Sequence, residues 1–176
     1  MPTENLNRVD TQACMPYSSL MLGRNFSINQ DLLEVVTERI FNSDAAKLFK
    51  YYTDPALIPK WWGEESLKTT VELQNLHEGG SWRFIQTQPD NTSYAWSGIY
   101  QEILQSRKIV STFVLEPQPG HVYIGTALFK ELPNGTTQLI EKIKFLNIED
   151  LNQMVSMDMA QKTAERLDRF ALVTGS

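Results

Sequence analysis

Between residues 67 and 146 apolar and polar positions alternate with a period of two, broken at short intervals by turn chemistry. Such alternation marks half-buried strands, and it predicts them over residues 67–73, 81–87, 93–104, 108–115, 122–132 and 136–146. The joints are Glu78-Gly79-Gly80, Pro89-Asp90-Asn91, Gln105-Ser106-Arg107, Pro117 to Gly120 and Pro133-Asn134-Gly135. Asn134-Gly135 is the strongest hairpin signal among them. Short joints between successive strands imply an antiparallel meander.

Upstream, residues 32–41 are rich in Val, Ile, Thr and Leu and read as a further strand. Its alternation places Val36, Glu38 and Ile40 on one face and Val35, Thr37 and Arg39 on the other. Asn42-Ser43-Asp44 signals a helix start with Ser43 as the cap, and the helix runs over 45–52. Thr53-Asp54-Pro55 ends it and opens a second, very short helix that leads into Trp61-Trp62.

The last predicted element is one long helix over 149–173, free of Gly and Pro, with Glu149 and Asp150 in its first turn. Its second half carries a stripe of Ala160, Thr163, Ala164, Leu167, Phe170 and Ala171. Its first half carries Leu151, Met154, Val155 and Met159 on a rotated face, so the two halves meet different surroundings. Residues 1–30 are polar and lack a period. They read as a partly disordered tail preceding a single domain over 31–176. A packed patch through Leu20, Met21, Leu22 and Phe26 is the competing reading of that tail.

Strand, two small helices, six strands and a long helix make an α+β chain with a seven-stranded antiparallel sheet. The sheet must cover its apolar face. Only the last helix is long enough to do so, and the sheet must curl around it in a helix grip. The stretches Asp54 to Gly63 and Glu78 to Phe84 hold three of the four tryptophans. They lie at one end of that grip, as a plug for the core or the wall of a pocket.

Composition narrows the classes. A net charge of −5 and a pI near 5.1 argue against a nucleic-acid or anionic-membrane surface. A single cysteine, Cys14, excludes an internal disulfide and suits a reducing, cytoplasmic setting. Two histidines, His77 and His121, are too few for a histidine-rich metal site. No run of apolar residues is long enough to span a membrane.

Ser43-Asp44-Ala45-Ala46-Lys47-Leu48-Phe49 followed by Thr53 to Gly63 resembles the opening of the START/SRPBCC superfamily. The resemblance is to its branch related to the C-terminal domain of the activator of the Hsp90 chaperone's ATPase. Glu78 to Phe84 resembles that branch's glycine-pair strand entry, and Gly98-Ile99-Tyr100-Gln101-Glu102-Ile103 its G-x-V-x-E-V strand. Gly135 to Leu139 and the closing Leu167-Asp168-Arg169-Phe170 extend the likeness over roughly residues 31–172. It implies a START-like helix grip and a functionally mixed company of co-chaperone domains, lipid or polyketide binders and cyclases. One departure stands out. Members often carry an aromatic shortly before the position of Leu167, where this chain has Lys162-Thr163.

With Trp82 and Phe84 inward, as the resemblance implies, parity brings Gln86, Tyr94, Trp96, Tyr100, Phe113, Tyr123 and Phe129 to the inner face. With Trp61, Trp62, Glu141, Met154, Met159 and Thr163 they form a candidate lining for a small-molecule site. A filled core is the plainer reading of each aromatic taken alone. Glu38 and Glu141 both fall among apolar neighbours on strands expected side by side, a candidate acid–base pair. A rim partner such as Arg39 or Lys142 would explain either carboxylate as well. His121 starts a strand at the rim, as a weak catalytic candidate, and His77 is expected to be exposed.

No nucleophile elbow, phosphate loop or metal-ligand spacing is present. The expectation is therefore a binding protein, with no cofactor and no metal, that holds an apolar or amphipathic ligand between sheet and helix. A chaperone-ATPase partner, a homodimer and a cyclase or hydrolase use of the cavity remain alternatives.

Overall fold

The structure, a computed structural model, describes residues 24–176, with side chains from residue 26 onward. Leu20, Met21, Leu22 and Cys14 lie outside the described residues.

Eight strands form one antiparallel sheet in the order β1-β2-β8-β7-β6-β5-β4-β3. The strands are β1 (Arg24–Asn29), β2 (Glu34–Phe41), β3 (Lys68–Gln74), β4 (Ser81–Thr87), β5 (Ser93–Leu104), β6 (Lys108–Leu115), β7 (Val122–Glu131) and β8 (Thr137–Lys144). The six strands of the meander follow one another through hairpins, as the turns predict. The non-local step is β2 against β8, which brings the first predicted strand beside the last. Helices α1 (Ala45–Thr53) and α2 (Ile58–Trp61) follow β2, and α3 (Ile148–Ser156) and α4 (Met159–Thr174) close the chain.

Four sequence expectations change. The sheet has eight strands rather than seven, because Arg24–Asn29, read as part of the polar tail, pairs with β2 as an edge strand. Phe26 and Ile28 share the inner face opposite Thr37 and Val35, but Ile28 stays 41% exposed and two apolar residues among Arg24, Asn25, Ser27 and Asn29 are too few to announce a strand. Second, Asp44 rather than Ser43 caps α1: its carboxylate accepts the Lys47 N–H at 2.8 Å. Ser43 is instead buried, and its carbonyl accepts the Thr137 hydroxyl at 2.7 Å.

Third, the single long helix is two. Asp158 sits in the left-handed region at φ 55°, and α3 ends just before it. Aspartate tolerates that conformation better than most residues, so no Gly or Pro is needed. The break lets the drifting stripe turn both halves inward. Fourth, the faces of β2 are reversed. Val35, Thr37 and Phe41 are buried while Ile40 is 48% exposed. Glu38 therefore faces outward, where Gln138 donates to it at 3.0 Å.

The interior divides into two clusters. The larger joins Phe41, Leu48, Phe49, Trp61, Trp82, Phe84, Phe129, Leu139, Leu167 and Phe170 under α1, α2 and α4. Trp61, Phe41, Phe49 and Phe170 each expose 2% or less, and Trp61 meets Phe170 at a centroid distance of 4.6 Å. The smaller joins Val35, Tyr123, Phe145, Leu151 and Met159 beneath α3 and the start of α4.

Candidate functional site

Trp96 and Phe113 pack against both clusters, yet each is only half-buried. They lie on adjacent inner-face strands, with ring centroids 6.0 Å apart. Register sets small residues beside them: Gly98, Ser111 and Gly125. A Cβ on Gly125 would lie 3.3 Å from the Phe113 ring, so glycine lets that ring lie flat over β7.

The helix side shows the same interruption. Along α4, Met159 belongs to the smaller cluster and Leu167 and Phe170 to the larger. Thr163, one turn from Met159 and from Leu167 on the same stripe, is half-buried. Sheet and helix thus each carry incompletely covered side chains, Trp96 and Phe113 on one side and Thr163 on the other. Met154 and Val155 of α3 complete this half-buried zone.

Beside Trp61 of the larger cluster lies a polar group. Glu141 on β8, opposite Thr37 and Ala127 in register, points toward α4. Arg166 forks onto it, with Nη1 donating to Oε1 at 3.2 Å and Nη2 to Oε2. Tyr52 at the end of α1 donates to Oε1 at 2.8 Å. The Arg166 and Glu141 side chains expose 19% and 12%. Arg166 also lies over the Trp61 ring at 5.6 Å, a cation–π contact. Burial, helped by the Glu141 charge, pushes the Tyr52 hydroxyl well above its ordinary pKa, so it stays a neutral donor. Burial works against the Arg166 charge, but the attraction and hydrogen bonds of Glu141 outweigh it and hold the guanidinium charged.

The two tryptophans of the turn divide their roles. Trp61 is a core plug, 1% exposed and stacked among Tyr52 and Phe170. Trp62 is half-buried and meets Phe84 edge-on at 5.2 Å. Arg169 of α4 fastens the turn by donating to the carbonyls of Trp61 and Gly63, and the Thr69 hydroxyl donates to the Trp62 carbonyl at 3.1 Å. Gly63 is at φ 79°, and a Cβ there would overlap the Gln86 amide.

The expected lining thus separates into two groups. Trp61, Trp82, Phe84, Tyr100, Tyr123, Phe129 and Met159 are buried within the clusters. Trp62, Tyr94, Trp96, Phe113, Glu141, Met154 and Thr163 are half-buried. Gln86 is 3% exposed; its carbonyl accepts the Trp96 indole N–H at 3.3 Å and its amide nitrogen has no partner. The carboxylate pair does not form, because Glu38 and Glu141 lie on opposite faces. His77 is exposed, as expected.

His121 is not a lone rim histidine. Its Nδ1 lies 2.6 Å from Oδ1 of Asp150, a carboxylate 5% exposed in the first turn of α3. Asn147 donates to the other oxygen at 3.0 Å and accepts the Asp150 N–H at 2.8 Å, capping α3.

Sequence reading missed Tyr52, Arg166, Asp150 and Arg169. For Tyr52 a signal existed: it continues the Leu48–Phe49 stripe of α1. Arg166 adjoins the stripe of α4, but its partner lies on β8, beyond any local pattern. Two shallow hollows, of about 380 and 370 Å³, flank Arg169 on the outer side of α4. The first is lined by Leu57, Lys60, Arg169, Leu172 and Val173. Among the described residues no group of three or more potential metal ligands converges. Nor is any described helix long and apolar enough to cross a membrane.

The profile of a family described as "Activator of Hsp90 ATPase homolog 1-like protein" matches residues 42–174. Solved structures share the fold at low identity. Protein Ms6760 from Mycobacterium smegmatis is 21% identical, with a TM-score of 0.75 over 86% of this chain and 96% of that one. A protein from Arthrobacter aurescens is 20% identical, with a TM-score of 0.77 over 86% and 91%. One from Rhodobacter sphaeroides is 17% identical, with a TM-score of 0.78 over 86% and 98%. No curated protein matches the chain.

Proposed function

The chain belongs to the family of activator of Hsp90 ATPase homolog 1-like proteins, and from that premise we propose that it binds a small apolar or amphipathic molecule between its sheet and its C-terminal helices. One observation carries the proposal. The two buried clusters meet at half-buried Trp96 and Phe113 of the sheet, which pack against both, and half-buried Thr163 lies along α4 between Met159 of the smaller cluster and Leu167 of the larger. A domain selected only for stability packs such side chains to interior density. Leaving large aromatic surface incompletely covered forgoes roughly 25 cal/mol for each Å² kept in contact with water. A ligand inserted there recovers that burial.

Aromatic walls supply apolar area, and Glu141, Arg166 and Tyr52 supply the few polar groups that orient a ligand. The three satisfy one another, so the zone is neutral overall and favours a neutral or weakly polar ligand end. Met154 adds a side chain that repacks around different shapes. Tyr52, the hydroxyl that meets the Glu141 carboxylate, is held neutral by burial and by that charge, so the reading is binding rather than turnover.

The decisive substitution is Thr163→Trp, which adds a large side chain from the helix side. It is expected to abolish binding of an apolar fluorescent probe while leaving the melting temperature unchanged or higher. Native mass spectrometry of protein isolated from its own host is expected to show a retained ligand on the wild type and none on the variant. Unchanged probe affinity in Thr163→Trp would overturn the proposal.

A further inference from the structure

The helices pack into the two clusters on the inner face of the sheet. The outer face carries the opposite parity. On its central strands stand Ile140 and Lys142 of β8, Thr126 and Leu128 of β7, Val110 of β6, and Glu102 and Leu104 of β5. An antiparallel sheet with one face in water usually alternates apolar-in and polar-out. Here the outward positions are largely apolar as well: Leu104 is 46% exposed, and Ile140, Leu128 and Val110 are half-buried. Strand propensity accounts for Val, Ile and Thr on such a face. It does not account for the two leucines, nor for how the charges are set among them.

Register orders these residues in rows that cross the strands. One row runs Lys142, Thr126, Val110 and Glu102 from β8 to β5, and the next runs Ile140, Leu128, Lys108 and Leu104. The first row is neutral in its middle and oppositely charged at its two ends. Lys142 has no ion-pair partner among the described residues. The Glu102 side chain is 37% exposed and meets Lys108 at 2.6 Å through Oε2. A row of this kind is complementary to itself when its order is reversed.

We propose that this face packs against the same face of a second copy of the chain, about a two-fold axis that runs parallel to the strands between β6 and β7. Such a contact is isologous. The axis keeps each row and reverses its order, so β8 lies over β5 and β7 over β6. Lys142 then meets Glu102 of the second copy, and Glu102 meets that copy's Lys142. Between these two ion pairs Thr126 faces Val110, and in the next row Ile140 faces Leu104. Leu128 lies over the aliphatic stem of Lys108, whose ammonium stays with Glu102. Sheets packed face to face sit about 10 Å apart with their strands within about 30° of each other. The rows nearest the axis therefore stay matched despite the twist. The contact lies on the opposite side of the sheet from the binding zone and is independent of it.

Sedimentation velocity of the full chain tests the contact. The wild type is expected to sediment as a dimer at micromolar concentration, and a monomer throughout that range would overturn the proposal. Lys142→Glu and Glu102→Lys each set like charges against each other at both contacts, and each alone is expected to weaken association about a hundredfold. Mixed in equal amounts, the two variants are expected to form a heterodimer of wild-type strength, because both contacts then join opposite charges. A mixture that stays monomeric, or single variants that dimerise as the wild type does, would overturn it. Glu34→Lys changes the net charge as Glu102→Lys does, but lies outside the two rows, and is expected to leave the dimer intact. An equal loss in both would mark a net-charge effect and overturn the pairing. Val110→Asp, beside the axis, decides the question if Glu102→Lys fails to fold. It is expected to be monomeric with an unchanged far-ultraviolet circular dichroism spectrum, and a folded dimer of it would overturn the proposal.

Discussion

Glu141 and Arg166 make each other a large liability to substitution. Each is held away from water by aromatic neighbours, and each satisfies the other through a forked pair. Removing one partner strands the other charge. Arg166→Met is expected to cost about 3–5 kcal/mol of unfolding free energy, measured by urea denaturation. Adding Glu141→Leu should recover most of that loss, because two apolar groups replace the pair without an orphan. A double mutant no more stable than the single would show that the pair's geometry organises the neighbouring core. Tyr52 sets the alkaline limit. Its raised pKa means that the folded state holds the phenolic proton more tightly than the unfolded chain, whose tyrosines ionise near 10.0. Stability from this group is therefore complete below pH 10 and is lost as pH rises through the folded value. Tyr94, Tyr100 and Tyr123 shift in the same direction. Tyr52→Phe is expected to lower stability at neutral pH, since Glu141 loses a donor, and to flatten its decline above pH 10.

Two backbone positions govern how elements join. Gly63 lets the tryptophan turn pass over Gln86 and bring its carbonyl to Arg169. Gly63→Ala adds a methyl against a buried amide in a left-handed conformation, and is expected to destabilise by more than about 1 kcal/mol. If instead the variant matches the wild type in melting temperature, the turn is looser than its hydrogen bonds imply. Asp158 does the corresponding work between α3 and α4. Asp158→Val puts a β-branched side chain at φ 55°, with an expected cost of about 1–2 kcal/mol. Exchange should then rise in α3 before it rises in α4, since α3 has the fewer buried anchors.

Taken as a whole, the molecule is a sheet gripping two helices around two cores, with half-buried Trp96 and Phe113 packed against both. The stability and binding predictions diverge there. Thr163→Trp adds burial there and is expected to remove ligand binding without loss of stability. Phe170→Ala, inside the larger core, is expected to cost about 3–5 kcal/mol and to disturb both properties together. A ligand that binds only the folded state should raise the melting temperature in proportion to its concentration over its dissociation constant.

The meander, its turns, the short helices and the inward parity of β4 to β8 were all legible along the chain, because neighbouring residues alone encode alternation and hairpin chemistry. The family resemblance followed from the same local stretches. What local pattern could not reach was anything resolved by a distant partner. β1 becomes a strand because β2 offers it an unpaired edge; its own alternation, Phe26 and Ile28 among polar residues, is too short to announce it. The face of β2 is chosen by β8, whose Leu139 and Ile143 lie opposite Arg39 and Val35. Glu38 therefore turns to solvent even though its neighbours Val36 and Ile40 are apolar. The last helix breaks at an aspartate because two separate cores must be capped at different angles. Arg166, Tyr52 and Asp150 acquire their meaning only from Glu141 and His121, far away in the chain. The tryptophan turn shows the division most plainly: the chain placed Trp61 and Trp62 side by side, while packing against Phe170 and Phe84 made one a plug and left the other half-buried.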